Sequence, residues 1–436
     1  MSALSYTGRR VAFQTLGCRL NQFETDSLAG EFESAGYQVV PFDQAADAYI
    51  INTCTVTNKA DRKSRNAVNR AARRTPLTVV TGCFVESHRD TLEEQPGVIA
   101  VDNQRKRHIV EIVDAHLRGE ILHAQELDPE LFDYRVPDPI FHTRSMVKIQ
   151  DGCDNFCTFC IIPFVRGHAV SRDPQSVLDH VRASIDHGYR EIVVTGVNIS
   201  RYHHGDVDFS RLMEQMLELD GDYRLRISSM EPDSLDDRFF ELLNHPRMTP
   251  HLHLCLQSGS ERILLKMRRQ YTVAGYRAMV DRIRAQNPDF NLTTDIIVGF
   301  PGETESDFAE TCRECEAIAF SHIHTFAYSR RSGTRADRMP EQIPERMKQE
   351  RSRVIREIGE RGKRAYRAGR IETVERLLVE RVEPSGDRIV ARGYGEHYVP
   401  ILLDAAIGEV ERNRFVSARI TGIETGEDPS LLARVT

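Results

Sequence analysis

Asp151-Gly152-Cys153-Asp154-Asn155-Phe156-Cys157-Thr158-Phe159-Cys160 is the stretch on which the reading of this chain turns. Three thiolates spaced by three and then two residues can bind three irons of a 4Fe-4S cluster, leaving the fourth iron without a protein ligand. An iron left open is a chemical site. The plainer alternative is a zinc knuckle, but zinc usually takes a fourth Cys or His at short spacing, and the nearest, His168, fits poorly.

Around this stretch, from about 140 to 340, strands and helices alternate. The strand candidates are Met146 to Gln150, Glu191 to Thr195, Tyr223 to Ile227, His251 to Leu256, Leu292 to Val298, and His322 to Tyr328. Six strand-helix units suit an open, partial (β/α)6 barrel with its chemistry at the carboxyl ends of the strands. The polar motifs fall there. The cysteine triplet follows the first strand, Thr195-Gly196-Val197-Asn198 the second, Ser228-Ser229-Met230-Glu231 the third, Gln257-Ser258-Gly259 the fourth and Val298-Gly299 the fifth. Glycine lets a ligand approach the backbone closely, although strand-to-helix turns use glycine anyway. The candidate cofactor-binding residues are therefore Phe159, Thr195, Gly196, Asn198, Ser229, Glu231, Gln257, Ser258 and Gly299, of which Asn198, Ser229 and Gln257 can hydrogen-bond a ribose or an amino-acid moiety.

Upstream, residues 1 to about 130 also alternate, with strands at Val11 to Leu16, Ala48 to Ile51 and Leu77 to Val80 and a helix at Asn21 to Ala35. This pattern predicts a doubly wound parallel sheet, whose ligands sit beyond the carboxyl ends of the strands. Cys18, Cys54 and Cys83 each follow one strand, so they converge on one rim and can hold a second cluster. The bland reading is three small buried residues at strand ends.

At 436 residues the chain exceeds what one core serves, so two or three domains are expected. No apolar run is long enough to cross a bilayer, and Met1 to Tyr6 lacks the apolar core of a signal peptide, which together predict a cytoplasmic protein without a membrane partner. Nine cysteines in such a setting are better read as including metal ligands than as disulfides. The charge of -7 argues against indiscriminate nucleic-acid binding but not against local basic patches. Two such patches stand out. Asp61 to Arg74 carries six basic residues and one acidic one, and Glu345 to Arg370 carries ten against four, a local +6. The first is a solvated face or a phosphate-contacting one; the second, together with the β-rich C-terminal stretch that follows it, is expected to hold a nucleic acid through its phosphates.

Proline density between about 125 and 145 marks a linker. Cys312 and Cys315 form a C-x2-C pair on a helix whose Phe308, Cys312, Cys315 and Ala319 are expected to face the core, and Cys255 lies within a strand. From 371 the chain turns β-rich, with runs at Glu375 to Glu380, Arg388 to Gly393 and Phe415 to Ile423. A small five-stranded barrel of the oligonucleotide-binding kind is expected, serving as a binding, oligomerisation or stabilising module.

Taken together the chain resembles, end to end, the methylthiotransferase family of radical S-adenosylmethionine (SAM) enzymes. Gly152 to Gly167, with Phe159 just before the last cysteine, carries the core of the resemblance. Thr15 to Asp26, Arg226 to Ser229 and Arg268 to Thr272 are most similar to the MtaB branch, whereas the MiaB and RimO branches continue differently after the first cysteine. The resemblance implies three parts: an N-terminal methylthiotransferase domain (1–130), a radical SAM domain (140–366) and a TRAM domain (367–436). It implies two 4Fe-4S clusters, an auxiliary one on Cys18, Cys54 and Cys83 and a catalytic one on Cys153, Cys157 and Cys160 that chelates SAM and cleaves it to methionine and a 5′-deoxyadenosyl radical. It implies methylthiolation at C2 of N6-threonylcarbamoyladenosine beside the anticodon of tRNA, using two SAM, an electron donor such as flavodoxin or ferredoxin, and a sulfur donor. The same chemistry on isopentenyladenosine or on a ribosomal-protein aspartate is the alternative, and an RNA-bound iron-sulfur electron carrier is another. The threonyl carboxylate calls for a cation, and Arg268 and Arg269 are the substrate-binding candidates.

Overall fold

The computed structural model describes residues 8–75, 77–136, 143–426 and 428–436. Met1 to Tyr6 and the linker prolines Pro137 and Pro139 lie outside the described residues. The N-terminal elements are β1 (Arg10–Thr15), α1 (Arg19–Ser34), β2 (Gln38–Val40), β3 (Ala48–Thr53), α2 (Asn58–Ala72), β4 (Thr78–Gly82), α3 (Cys83–Glu93), β5 (Val98–Val101) and α4 (Ile109–Leu117). The strands form one parallel sheet in the order β2-β1-β3-β4-β5. Apolar residues cover both faces: Val11, Ile50 and Val79 pack with Phe32 and Ile112 on one, and Ala12, Ile51 and Val80 with Val68 and Phe84 on the other. Continuous apolar strands follow from burial on two faces. The two short strands β2 and β5 complete the doubly wound arrangement expected from the alternation.

The next elements are β6 (Arg144–Lys148), the hairpin strands β7 (Gln150–Asp151) and β8 (Val170–Ser171) with α5 (Ile162–Val165) between them, α6 (Pro174–Asp186), β9 (Glu191–Thr195), a two-residue-strand hairpin of β10 (His203–His204) and β11 (Val207–Asp208), α7 (Phe209–Leu217), β12 (Arg224–Ile227), α8 (Asp237–Leu242), β13 (His251–His253), α9 (Glu261–Met267), α10 (Val273–Gln286), β14 (Asn291–Val298), α11 (Glu305–Ile318), β15 (His322–Ala327) and α12 (Glu345–Gly369). Two three-stranded sheets, β12-β9-β6 and β13-β14-β15, are bridged where Met230 pairs with Leu254, giving an open six-stranded wall wrapped by helices. The fourth strand is shorter than its apolar run, because Cys255 hydrogen-bonds back to Met230 and Gln257 takes a left-handed φ of 64°. On α11 the buried residues are Asp307, Thr311, Cys315 and Ile318. The expected face is thus corrected: Phe308 lies under the Arg351 guanidinium of α12, and Ala319 ends the helix in a left-handed, exposed conformation.

The remaining strands, β16 (Val374–Ser385), β17 (Arg388–Tyr394), β18 (Pro400–Ala406), β19 (Phe415–Ile423) and β20 (Leu431–Val435), close a barrel in the order β16-β17-β18-β20-β19. It fills with Leu377, Ala391, Leu403, Ile420 and Leu431. The described residues fall into two compact units, one drawn from Met1–Asp138, Lys148–Arg172 and Ser329–Arg338, the other from Pro139–Val147, Asp173–Tyr328 and Met339–Thr436.

Within the second unit the small barrel meets the amino ends of the larger barrel's strands. Glu191, wholly buried at the start of β9, accepts from Arg224 at 2.6 Å, Arg226 at 2.7 Å and Arg144 at 3.1 Å. Arg224 in turn donates to the carbonyls of Arg376 and Tyr394, Arg226 lies 4.1 Å above the Tyr398 ring, and Asn291 donates to His397. The small barrel therefore closes the face opposite to the strands' carboxyl ends, the face that carries stability rather than chemistry in such folds.

Candidate cluster and cofactor site

In the first unit the cysteines of the N-terminal sheet stand at the carboxyl ends of three neighbouring strands. Cys18 caps α1, Cys54 follows β3, and Cys83 begins α3. Asn21 pins the first two turns together by donating to Leu16 O at 2.8 Å and Thr53 O at 2.9 Å. Gly17 makes the approach possible: its φ is 108°, and a Cβ there would stand 2.7 Å from Cys54 Cβ. Burial pushes the Cys54 thiol up to about 11, with Cys83 and Cys18 adding to the rise, and burial raises Cys83 as well. The three sulfurs thus share one field. Three converging thiols, two of them buried and resisting ionisation until a metal takes the charge, suit an iron-sulfur cluster.

Beside them lies a buried charge cluster that sequence reasoning missed. Arg166 donates to both oxygens of Asp151 at 3.0 and 2.9 Å, to Glu24 at 3.2 Å and to Asn21 at 2.9 Å. Lys148 binds Asp151 at 2.6 Å and Glu24 at 3.3 Å, and Lys106 pairs with Glu24 and reaches Asn52 at 3.2 Å. Burial alone would raise the Glu24 carboxyl, but Arg166, Lys106 and Lys148 outweigh it and hold it well below the usual range. Three cations face two carboxylates, and two of them, Arg166 and Lys106, act on Cys83. The surplus positive charge suits an anionic thiolate cluster. Its only sequence signal was polarity on a face that should have been apolar, at Asn21 and Glu24 of α1.

The second triplet belongs to the same unit. Gly152, with φ 69°, lets the two arms of the hairpin touch, since a Cβ would lie 1.9 Å from His168 O. Cys153 N then donates to Gly167 O at 3.1 Å, and Cys160 N to Cys157 O at 2.9 Å, folding the triplet into a tight loop. Cys157 is buried, while Cys153, Phe159 and Cys160 are half-buried. Ile161 and Val165, immediately after the triplet, pack against Cys83. From another part of the same unit, Arg331 donates to Thr55 at 2.8 Å and Asp61 at 2.7 Å, and Ala336 N to Thr158 O at 2.8 Å. The loops behind both triplets are held by one framework.

In the second unit the remaining candidates fall at strand ends but differ in what they touch. Thr195 is buried and accepts from Ser228 at 3.3 Å; Asn198 is buried and accepts from Ser200 at 2.9 Å; Gly196 is half-buried. Ser229 is exposed and 3.5 Å from Cys255 Sγ. Ser258 is buried completely beneath Thr311 of α11, and the Gly299 amide donates to Glu303 at 2.6 Å. Gln257 is buried and its carbonyl accepts from Ile297. The two arginines separate. Arg269 is buried, paired with Glu231 and 5.0 Å from the Tyr271 ring, whereas Arg268 is an exposed left-handed cap of α9.

Residues 10–101 match the family described as uncharacterized protein family UPF0004, and residues 147–315 match the radical SAM superfamily. The threonylcarbamoyladenosine tRNA methylthiotransferase MtaB of Bacillus subtilis is 36% identical over 430 residues, covering 94% of each chain. The chain belongs to the radical SAM methylthiotransferase family. A second relative, the tRNA-2-methylthio-N(6)-dimethylallyladenosine synthase of Methylibium petroleiphilum, is 32% identical over 437 residues, covering 95% of this chain and 93% of its own. Among solved structures, the radical SAM methyltransferase TsrM from Kitasatospora setae superposes with a TM-score of 0.58 at 15% identity, over 76% of this chain and 77% of its own, which shows the shared fold. As a radical SAM methylthiotransferase the protein is an enzyme that works with S-adenosylmethionine and 4Fe-4S chemistry, and its cysteine triplets are of the type that chemistry needs. Among the described residues no helix is long and apolar enough to cross a membrane.

Proposed function

We propose that this enzyme adds a methylthio group to C2 of N6-threonylcarbamoyladenosine at position 37 of tRNA, using two SAM and two 4Fe-4S clusters. The observation that carries the reading is the presence in one compact unit of two separate three-cysteine sets joined by a buried ionic framework. Cys153, Cys157 and Cys160 would hold the SAM-binding cluster, and Cys18, Cys54 and Cys83 the auxiliary one. When bound, these groups supply a 5′-deoxyadenosyl radical able to take the unactivated C2 hydrogen, and a seat for the sulfur that is methylated and transferred.

The chain's own residues exclude water, hold charge and orient. Arg166 and Lys106 place fixed positive charge beside Cys83. Thr195, Asn198, Ser229, Glu231, Gln257 and Gly299 remain the SAM-binding candidates, with Ser258 supporting the turn from beneath. Arg269 is the cation proposed for the threonyl carboxylate, because a guanidinium with five N–H donors can serve a second carboxylate beside Glu231. Arg268, turned to solvent, is assigned to the RNA backbone instead. The reaction also needs a one-electron reductant such as flavodoxin or ferredoxin and a sulfur donor, and it places the enzyme in the cytoplasm with its tRNA.

The basic helices divide in the same way. On α12 the cations Lys348, Arg351, Lys363 and Arg367, with Arg370 just beyond, are buried, and acidic partners such as Glu303, Asp428 and Glu375 take their charge. On and just after α2, directly behind Cys54, Lys59, Arg62, Lys63, Arg65, Arg70, Arg73 and Arg74 are all exposed. We assign the phosphate-contacting role chiefly to α2. The test is anaerobic reconstitution with SAM, a reductant and sulfide, followed by mass spectrometry of tRNA nucleosides. The reading expects 2-methylthio-N6-threonylcarbamoyladenosine, and its absence with active SAM cleavage would overturn it.

A further inference from the structure

Across the three strands β13, β14 and β15, His253, Asp295 and His324 bring one donor atom each within 4.8 Å of the others. His253 Nε2 stands 3.1 Å from Asp295 Oδ1. Donors around a tetrahedral zinc lie about 3.3 Å apart. The strands themselves set this spacing, since Asp295 and His324 are direct partners in the parallel ladder and His253 is one rung away, opposite Thr293.

Each of the three side chains is also held from behind. His253 Nδ1 lies 2.9 Å from Thr293 Oγ1, His324 Nδ1 lies 3.2 Å from His322 Nε2, and the second Asp295 oxygen lies 3.9 Å from Cys255 Sγ. An outer partner on one ring nitrogen fixes tautomer and orientation, and directs the other nitrogen's lone pair to a ligand. One ligand is buried, one half-buried and one exposed, so the group is anchored on one side and open on the other. Two imidazoles and one carboxylate with positions left open are the ligand set of divalent zinc and non-haem ferrous sites. A carboxylate at the centre disfavours an anionic ligand and favours a cation.

We infer that His253, Asp295 and His324 form a binding site for one divalent transition-metal ion, separate from both cysteine triplets. The cysteines of neither triplet take part, and the site does not depend on which base the enzyme modifies.

The experiment uses the full chain with its clusters reconstituted, so that the cluster cysteines are occupied, then washed with chelator and dialysed against zinc alone. Zinc and iron are counted per chain for the wild type, His324→Ala and Asp295→Asn, with cluster absorbance as the check on folding. The wild type is expected to retain about one zinc per chain, and each variant to bind it at least about tenfold more weakly at unchanged cluster content. Because His324 is exposed, its truncation leaves the core intact and keeps the comparison valid if Asp295→Asn misfolds. Equal zinc retention by wild type and His324→Ala, or none by the wild type, would overturn the assignment.

Discussion

Arg166 and Glu24 meet at 3.2 Å with both side chains out of solvent, joining the segment that carries the second cysteine triplet to the helix that begins just after Cys18. Removing one partner of a buried pair leaves the other charge uncompensated, at a cost of about 3–5 kcal/mol. Glu24→Gln, which takes the carboxylate from Lys106 and leaves Asp151 alone to balance Arg166 and Lys148, is expected to lose stability of that order in urea unfolding. Arg166→Lys keeps the charge but should also lose stability, because an ammonium cannot span Asp151, Glu24 and Asn21 together. Wild-type stability in Glu24→Gln would show that the framework contributes nothing.

The two triplets should separate in function. Cys54→Ala is expected to keep reductive cleavage of SAM to 5′-deoxyadenosine while losing methylthio transfer, and Cys157→Ala to lose both. The check is product analysis by chromatography of the same two reactions. Equal loss of 5′-deoxyadenosine in both variants would contradict the assignment of duties.

A pH dependence follows from Glu303, whose carboxyl burial pushes up from 4.5 to about 6 against the pull of the Gly299 amide and Arg351. The folded state then holds a proton that the unfolded chain has released, so this contribution is complete below about pH 4.5 and is lost as pH rises through about 6. The shift corresponds to about 2 kcal/mol. Glu303→Gln cannot titrate, so its stability relative to wild type should improve between pH 5 and 7. Parallel stability curves for the two proteins over that range would refute the shift.

Recognition of tRNA is expected to depend on α2. Reversing Arg62 and Arg65, both exposed, should weaken tRNA binding and reduce its salt dependence by about one unit of slope for each phosphate that is no longer neutralised. Reversing Arg353 and Arg356, exposed on α12, should matter less. The opposite ranking would return recognition to α12 and the small barrel.

Much of this fold could be read from hydrophobic spacing. The buried runs around Ile50, Val79 and Val193 are apolar on both sides, so their strands were visible, and Cys54 and Cys83, placed directly after the first two, marked the rim. What escaped was written in charge. Arg351 and Arg367 look like a solvated helix face because no local pattern tells that Glu303 and Asp428 reach them from distant sequence. The Arg166 network and the His253, Asp295 and His324 group are likewise made only by packing of remote segments. Short strands such as Gln38–Val40 carry too few residues to show a period.

The choice of base is the most direct test of the proposed function. One anaerobic reaction should contain equal amounts of tRNA bearing N6-threonylcarbamoyladenosine and tRNA bearing N6-isopentenyladenosine, with the methylthiolated nucleosides counted by mass spectrometry. If the remaining N–H donors of Arg269, a buried arginine paired with the half-buried Glu231, serve the threonyl carboxylate as proposed, an apolar isopentenyl group leaves them unsatisfied, at about 1–3 kcal/mol for each unpaired polar group. Strong preference for the threonylcarbamoyl tRNA is expected, reduced in Arg269→Ala. Equal or preferred methylthiolation of the isopentenyl tRNA by the wild type would contradict it.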